Sequence, residues 1–365
     1  MKKVLIFGMT ENPGGVETFL MNYYRRLNSK RIHFDFLGAT NEKIAFEDEI
    51  SKNSIVYHIS KRREHPIKYF KEVHSFFKNH AKEYDCIWVN LNTLINMDYL
   101  KLAKKYGIKK IIIHSHSSQN MDSKPKKIIH NFNKKRLTKY STDYWACSEL
   151  AAKWFFPQRI QSKVKIIKNA IDIDEFKFDQ QKRDSLRKKY NLENNFVIGN
   201  VGRLHFEKNQ EFAIKILKYL NDKNIKLVLV GQGPDKDRLK SIVNDYQLND
   251  QIIFAGVQSD MKAWYSCFDF FIFPSLFEGL GLAGVEAQAN GLPVLSSSKN
   301  IPSELSITSN FKFLNLDDGP RSWANTIKNW QHFSRLSQSQ IENDFNKSGY
   351  NIDANVNKLE NLFLG

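Results

Sequence analysis

The residues best suited to chemistry lie in one run of the second half of the chain, Pro274-Ser275-Leu276-Phe277-Glu278-Gly279-Leu280-Gly281-Leu282, continued to Glu286. An apolar stretch ends at Phe273, a glycine-containing loop follows, and a helical pattern begins near Leu282. A carboxylate in such a loop accepts hydrogen bonds from hydroxyls, and amides at a helix start can face a phosphate. Arg203 and Lys208 flank a second strand-to-helix junction, in Gly202-Arg203-Leu204-His205-Phe206-Glu207-Lys208. Two cations at that place suit a diphosphate, the guanidinium offering paired donors and the ammonium a point charge. In the first half, Gly14-Gly15 ends a loop that opens a helix, where paired glycines let backbone approach a ligand. His114 and His116 close a further strand, and alternation points both the same way without choosing between them.

These residues need strands and helices to position them, and the pattern supplies both. Short apolar runs at 4–7, 33–37, 55–59, 86–90, 110–114, 143–146 and 164–167 alternate with amphipathic stretches such as 67–83 and 98–106. The alternation restarts at 196–202, with strands at 226–230, 251–254, 268–273 and 293–296 and helices at 209–220, 234–246 and 282–289. The stretch 172–195 is polar and reads as a linker that can carry a short helix, and 323–364 reads as mostly helical. Repeated β-α units predict two parallel sheets, each covered by helices, with ligands bound at the carboxyl ends of the strands in a cleft between the two halves. The expected division is 1–172, 173–345 and a C-terminal helix, 346–365, that packs back on the first domain.

Composition narrows the function classes. In 365 residues, 41% are hydrophobic and 26% charged, as in a globular chain with proper cores. No run of about 18 apolar residues is present, so no spanning helix is expected. Cys86, Cys147 and Cys267 are far apart and set among apolar neighbours, which predicts core thiols and neither a disulfide framework nor a zinc site. The formal charge is +16 and uneven: no acid lies between Asp122 and Asp143, whereas Lys124, Lys126, Lys127, Lys134, Lys135, Arg136 and Lys139 do. A second basic run is Lys101, Lys104, Lys105, Lys109 and Lys110. That excess predicts an anionic partner: membrane phospholipid, a pyrophosphate-bearing lipid or nucleic acid.

Taken in order, Gly14-Gly15-Val16-Glu17, His114-Ser115-His116, Asn169-Ala170-Ile171-Asp172, Gly202-Arg203 with Lys208, and Glu278 and Glu286 with seven residues between them resemble the retaining glycosyltransferases of family 4, which have the GT-B fold of two facing Rossmann-like domains. The resemblance covers almost the whole chain and is greatest to bacterial transferases of capsule and exopolysaccharide assembly. It implies that the first domain binds the acceptor and the second a nucleotide-sugar. Arg203 and Lys208 would hold the donor pyrophosphate, Glu286 the ribose, Glu278 with the amides of Gly279, Leu280, Gly281 and Leu282 the donor sugar and phosphate, and His116 or His114 a sugar hydroxyl. Gly14 and Gly15 would approach the diphosphate, and 254–258, with Val257, would line the base pocket. Two positions depart from the family pattern: Asn169-Ala170 replaces a common Asn-Gly, and Ser296-Ser297-Ser298-Lys299-Asn300 lacks the usual glycine.

The implied reaction transfers a hexose or N-acetylhexosamine from a UDP-sugar, with retention and without a metal or other cofactor, to a glycan acceptor that is expected to be linked to a lipid pyrophosphate. The expected place of work is the cytoplasmic face of the membrane, touched through the basic region 124–139. A sugar-nucleotide epimerase shares the fold and is the rival enzyme class. A basic nucleic-acid binder is the other rival, and no recognised binding module supports it.

Overall fold

Val4-Leu5-Ile6-Phe7 is apolar on both faces, and such a run is stable only as a strand covered on both sides. In the computed structural model, which describes residues 1–27, 29–119, 124–330 and 334–365, it forms an inner strand of a seven-stranded parallel sheet. The strands are β1 (Lys2–Phe7), β2 (Ile32–Gly38), β3 (Val56–His58), β4 (Cys86–Leu91), β5 (Lys110–Ser115), β6 (Asp143–Ala146) and β7 (Lys165–Ile166). Their order is β3-β2-β1-β4-β5-β6-β7. A second, six-stranded parallel sheet holds β8 (Phe196–Val201), β9 (Ile225–Val230), β10 (Ile252–Gly256), β11 (Phe270–Phe273), β12 (Val294–Ser297) and β13 (Phe311–Leu314), in the order β10-β9-β8-β11-β12-β13. Both are doubly wound α/β sheets, with switch points between β1 and β4 and between β8 and β11.

The chain divides into two units. One is Met1–Ala170 with Ile352–Gly365, the other Ile171–Asn351. The last helix, Ile352–Leu364, belongs to the first unit because Phe363 meets Trp88, Trp145 and Phe34 at ring-centroid distances of 5.2, 5.4 and 5.7 Å. A buried phenylalanine of this kind contributes about 1.5–3 kcal/mol. Lys110 donates to the Leu362 carbonyl at 2.6 Å and closes the same contact.

The 172–195 stretch is more than a linker. It carries the helix Gln180–Tyr190, whose Arg183 and Arg187 both pair with Asp269 at 2.5 Å and donate to the carbonyls of 266–268. Those charges made it look like solvent-exposed chain; the partners lie about eighty residues away and carry no local signal. The strand β13 was also unread, since Phe311-Lys312-Phe313-Leu314 is short and partly polar. All three cysteines are buried. The expected helical tail is Gly319–Trp330, Gln338–Ser348 and Ile352–Leu364, with 331–333 outside the described residues. Among the described residues no helix is long and apolar enough to cross a membrane.

Candidate functional site

In the second unit the loops after β8 and β11 meet at the switch point. After β8 a single helical turn, Phe206–Lys208, leads through Asn209, in the left-handed conformation, to the helix Gln210–Leu220. After β11 the loop runs to the helix Leu282–Ala289. Leu276 donates its amide to Glu207 at 2.8 Å and the Asn209 side chain donates to the Pro274 carbonyl at 3.1 Å, so the two loops hold each other in place. Between them Lys208 Nζ lies 2.6 Å from Glu278 Oε1, with the two side chains 20% and 9% exposed. Arg203 is exposed, its carbonyl fixed by Gln210 Nε2 at 3.0 Å. Among the described residues its guanidinium has no hydrogen-bond or ion-pair partner.

Gly281 precedes the Leu282–Ala289 helix at φ +97°, and a Cβ there would stand 2.8 Å from the Phe273 ring. Only glycine takes that backbone in that space. Leu280 and Leu282 have buried side chains, so their amides are what they offer a ligand. Among the described residues the amides of Leu280, Gly281 and Leu282 find no hydrogen-bond acceptor, which leaves a row of donors at a helix start where the dipole favours an anion. The glycine missing from 296–300 is replaced in function by Asn300, which adopts φ +59° and accepts the Glu278 amide at 3.2 Å. Asn tolerates the left-handed region better than other residues with a side chain.

Glu286 is buried within the same helix and accepts a 2.7 Å hydrogen bond from the Tyr265 hydroxyl. Burial raises its carboxyl from 4.5 to about 7, against the lowering effect of the Tyr265 bond, with Glu175 adding a smaller push upward. Burial likewise holds the Tyr265 phenol well above its ordinary value. Val257, expected at a base pocket, is exposed just beyond β10.

In the first unit the structure separates the two histidines. The His114 ring is fully buried between Phe19, Trp88 and Trp145, and neither nitrogen has a partner among the described residues. Burial pushes its pKa far down, with His116 adding to the effect, so the ring is neutral packing. His116 is only partly buried and places Nε2 2.8 Å from Asn90 Oδ1. The Asn90 amide nitrogen donates to the carbonyls of Phe7 and Trp88, both at 3.2 Å, which assigns Oδ1 as acceptor and Nε2–H of His116 as donor. Burial lowers His116 to about 3. Its Nδ1 is therefore a neutral acceptor with no partner among the described residues. Gly14 caps the Gly15–Tyr24 helix, and Glu17 of that helix accepts the amide and hydroxyl of Thr10, both at 2.9 Å, which folds the loop after β1. A Cβ on Gly14 would stand 2.9 Å from Glu17, whereas Gly15 faces open space.

The profile described as Glycosyltransferase Family 4 matches residues 13–175, and that described as Glycosyl transferases group 1 matches 182–347. The chain belongs to the glycosyltransferases. It is 27% identical over 378 residues to the putative glycosyltransferase EpsF of Bacillus subtilis, covering 99% of this chain and 96% of that one. It is 29% identical over 216 residues, 55% of this chain and 54% of the relative, to an Escherichia coli UDP-Gal:alpha-D-GlcNAc-diphosphoundecaprenol alpha-1,3-galactosyltransferase. In fold it is similar to Anabaena Alr3699/HepE, solved in complex with UDP and glucose, at a TM-score of 0.81 and 18% identity over 99% of both chains.

Sequence reasoning about this glycosyltransferase passed over Gly231, Gly233 and Tyr265. Gly231, at φ +133°, would place a Cβ 2.1 Å from the Gly202 carbonyl, and a Cβ on Gly233 would stand 2.2 Å from the Leu204 carbonyl. They let the loop after β9 pass directly beneath the Arg203 loop. Gly231-Gln232-Gly233-Pro234 after an apolar strand was a visible signal for this. Nothing in the sequence pairs Tyr265 with Glu286. The basic region is also more specific than its charge. The helix Lys124–Arg136 exposes Ile128 (69%) and Phe132 (56%) among its cations. Lys134, expected on the outer face with the others, instead turns inward and donates to the carbonyls of Trp154 and Lys153 at 2.5 and 3.2 Å.

Proposed function

We propose that this glycosyltransferase takes a hexose or N-acetylhexosamine from a UDP-sugar, without a metal and with retention of configuration, and adds it to a glycan borne on a lipid pyrophosphate in cell-surface polysaccharide assembly. The observation that carries the reading is the arrangement around the β8–β11 switch point: an exposed guanidinium at Arg203 and three amides at a helix start that have no partners among the described residues, the Lys208–Glu278 pair, and a buried Glu286. Arg203, Lys208 and the amides of Leu280 to Leu282 offset the charge that grows on the departing diphosphate. Glu278, oriented by Lys208, accepts from donor-sugar hydroxyls, and Glu286 accepts from the ribose. Gly15, which faces open space, leaves the loop after β1 open to a phosphate-bearing ligand. Of the two histidines His116 is assigned to a sugar hydroxyl, a role that requires its buried Nδ1 to be uncovered when substrate binds, while His114 packs behind it. The phosphate leaving on the face from which the acceptor enters takes the acceptor proton, so no covalent enzyme nucleophile is required. The UDP in the Anabaena neighbour and the diphosphoundecaprenol acceptor named for the Escherichia coli relative support the choice of donor and acceptor class. The test is to incubate the enzyme with UDP-sugars and a lipid-pyrophosphate glycan in excess EDTA and read the new linkage by NMR. An α-linked product from an α-configured donor is expected; an inverted product, or turnover abolished by EDTA and restored by Mg²⁺, contradicts the reading.

The enzyme is further proposed to work on the cytoplasmic face of the membrane, held there by the Lys124–Arg136 helix. Its exposed Ile128 and Phe132 suit the acyl boundary and its cations the anionic headgroups. Each cation near the surface contributes about 1 kcal/mol, so K124E/K126E/K135E should weaken partition onto phosphatidylglycerol vesicles by about 100-fold or more. Sedimentation unchanged by these substitutions would rule the helix out as the anchor.

A further inference from the structure

We infer a second anion site, in the first unit, that takes a phosphate or pyrophosphate group carried by a sugar or lipid; it rests on the reading of the acceptor given above. A cavity of about 330 Å³ is lined by Gln119, Lys127, Asn131, Lys134, Lys153 and Trp154. Positions 127, 131 and 134 fall on one face of the Lys124–Arg136 helix, and Lys153 and Trp154 come from the helix Glu149–Phe155. Among the described residues the lining holds three ammonium groups and no carboxylate. Among the described residues Lys127 and Lys153 have no side-chain partner, and Lys134 is held only by the carbonyls of Lys153 and Trp154. Like charges gathered in a half-enclosed space repel one another, and an anion among them relieves that repulsion. Burial already lowers the Lys134 pKa, a strain that an anion would reverse.

The wall is rigid. The Trp154 indole stacks on His130 with centroids 4.4 Å apart, and His130 Nδ1 accepts the Leu94 amide at 3.1 Å. Asn133 donates to the Leu94 carbonyl at 2.6 Å. An indole face fits the apolar face of a sugar ring, and the amides of Gln119 and Asn131 suit its hydroxyls. Ile128 and Phe132, on the neighbouring face of the same helix, are exposed where an attached lipid tail would lie. The chemistry thus matches an amphiphile with a phosphate at its polar end, and it is separate from the candidate nucleotide site, which the second unit builds.

The test is lysine acylation of the whole protein, mapped by mass spectrometry, with four probes: UDP, inorganic pyrophosphate, farnesyl pyrophosphate and phosphatidylglycerol vesicles. Farnesyl pyrophosphate is expected to slow modification of Lys127 and Lys153 about tenfold while Lys124 reacts normally, as charge-assisted contacts to one phosphate group would give. K127Q/K153Q should weaken farnesyl pyrophosphate binding by at least about tenfold, and both positions are exposed, so folding is not at stake. Equal protection by inorganic pyrophosphate assigns a bare phosphate site; protection of Lys127 and Lys153 over Lys124 by vesicles alone assigns a headgroup phosphate. Either keeps the site. No protection by any probe, or protection that is uniform across Lys124, Lys127 and Lys153, overturns it. Lys208 reports separately on the donor reading: if UDP leaves it reactive, that reading fails whatever the pocket does.

Discussion

Glu286→Gln is expected to make the protein more stable above pH 7 while destroying its hold on UDP. The carboxyl of Glu286 is raised from 4.5 to about 7 in the folded protein, chiefly by burial. An acid whose pKa rises on folding is protonated in the native state and ionised in the unfolded state across that window. The native state then binds more protons, so stability falls as pH rises from about 4.5 to about 7 and stays low above it. The whole shift is equivalent to about 3 kcal/mol, and an amide that must seat its own NH₂ recovers part of that, on the order of 1–3 kcal/mol. The variant should melt a few degrees higher than the wild type at pH 8 and close to it at pH 5. Binding moves the other way: ribose hydroxyls donate to a carboxylate, and each charged hydrogen bond lost costs about 1.5–3 kcal/mol, so UDP affinity should fall at least tenfold. Wild-type affinity should also weaken below pH 7, with the slope beyond that of UDP's own phosphate absent in Glu286→Gln. A variant with unchanged stability at both pH values, or with intact UDP binding, would show that Glu286 is ordinary core.

The second large effect separates two cations that the sequence presents as equivalents. Arg203→Ala removes an exposed side chain without an ion-pair partner among the described residues, so the melting temperature should stay put. Turnover should nonetheless drop by about 10²–10³, the usual cost of losing one donor to developing negative charge. Lys208→Ala should lose as much turnover and also stability, on the order of 1–3 kcal/mol, because it removes the cation 2.6 Å from a Glu278 carboxylate that is only 9% exposed. Steady-state kinetics alongside melting curves read both. Normal turnover in Arg203→Ala, or a Lys208→Ala protein as stable as wild type, would dismantle the roles assigned here.

Much of this was legible in advance, for reasons that differ from place to place. Doubly wound sheets announce themselves through buried apolar strands such as Val4–Phe7 and through the glycines that end them. The Glu278-to-Glu286 run was readable because Gly281 has to be glycine beside Phe273. What the sequence hid was pairing at long range. Tyr265 against Glu286, Arg187 against Asp269 and Asn90 against His116 are each set by the three-dimensional register of neighbouring strands and helices. The choice between His114 and His116 was likewise a matter of surroundings: both leave β5 on the same side, and the indoles of Trp88 and Trp145 enclose His114, whereas His116 is only partly buried and reaches Asn90. Charge was the least faithful guide. It placed Lys134 with its neighbours on an outer face, whereas the ammonium turns into the pocket beside Trp154.

The most direct test of the central claim is the melting temperature of the purified protein with and without millimolar UDP, in EDTA. A ligand that binds only the folded state stabilises it by mass action, by about 2.7 kcal/mol at a hundred times its Kd. A rise of several degrees that persists in EDTA and disappears in Glu286→Gln is the predicted result. No rise with UDP, nor with GDP, ADP or CMP under the same conditions, would contradict a nucleotide site at the β8–β11 switch point.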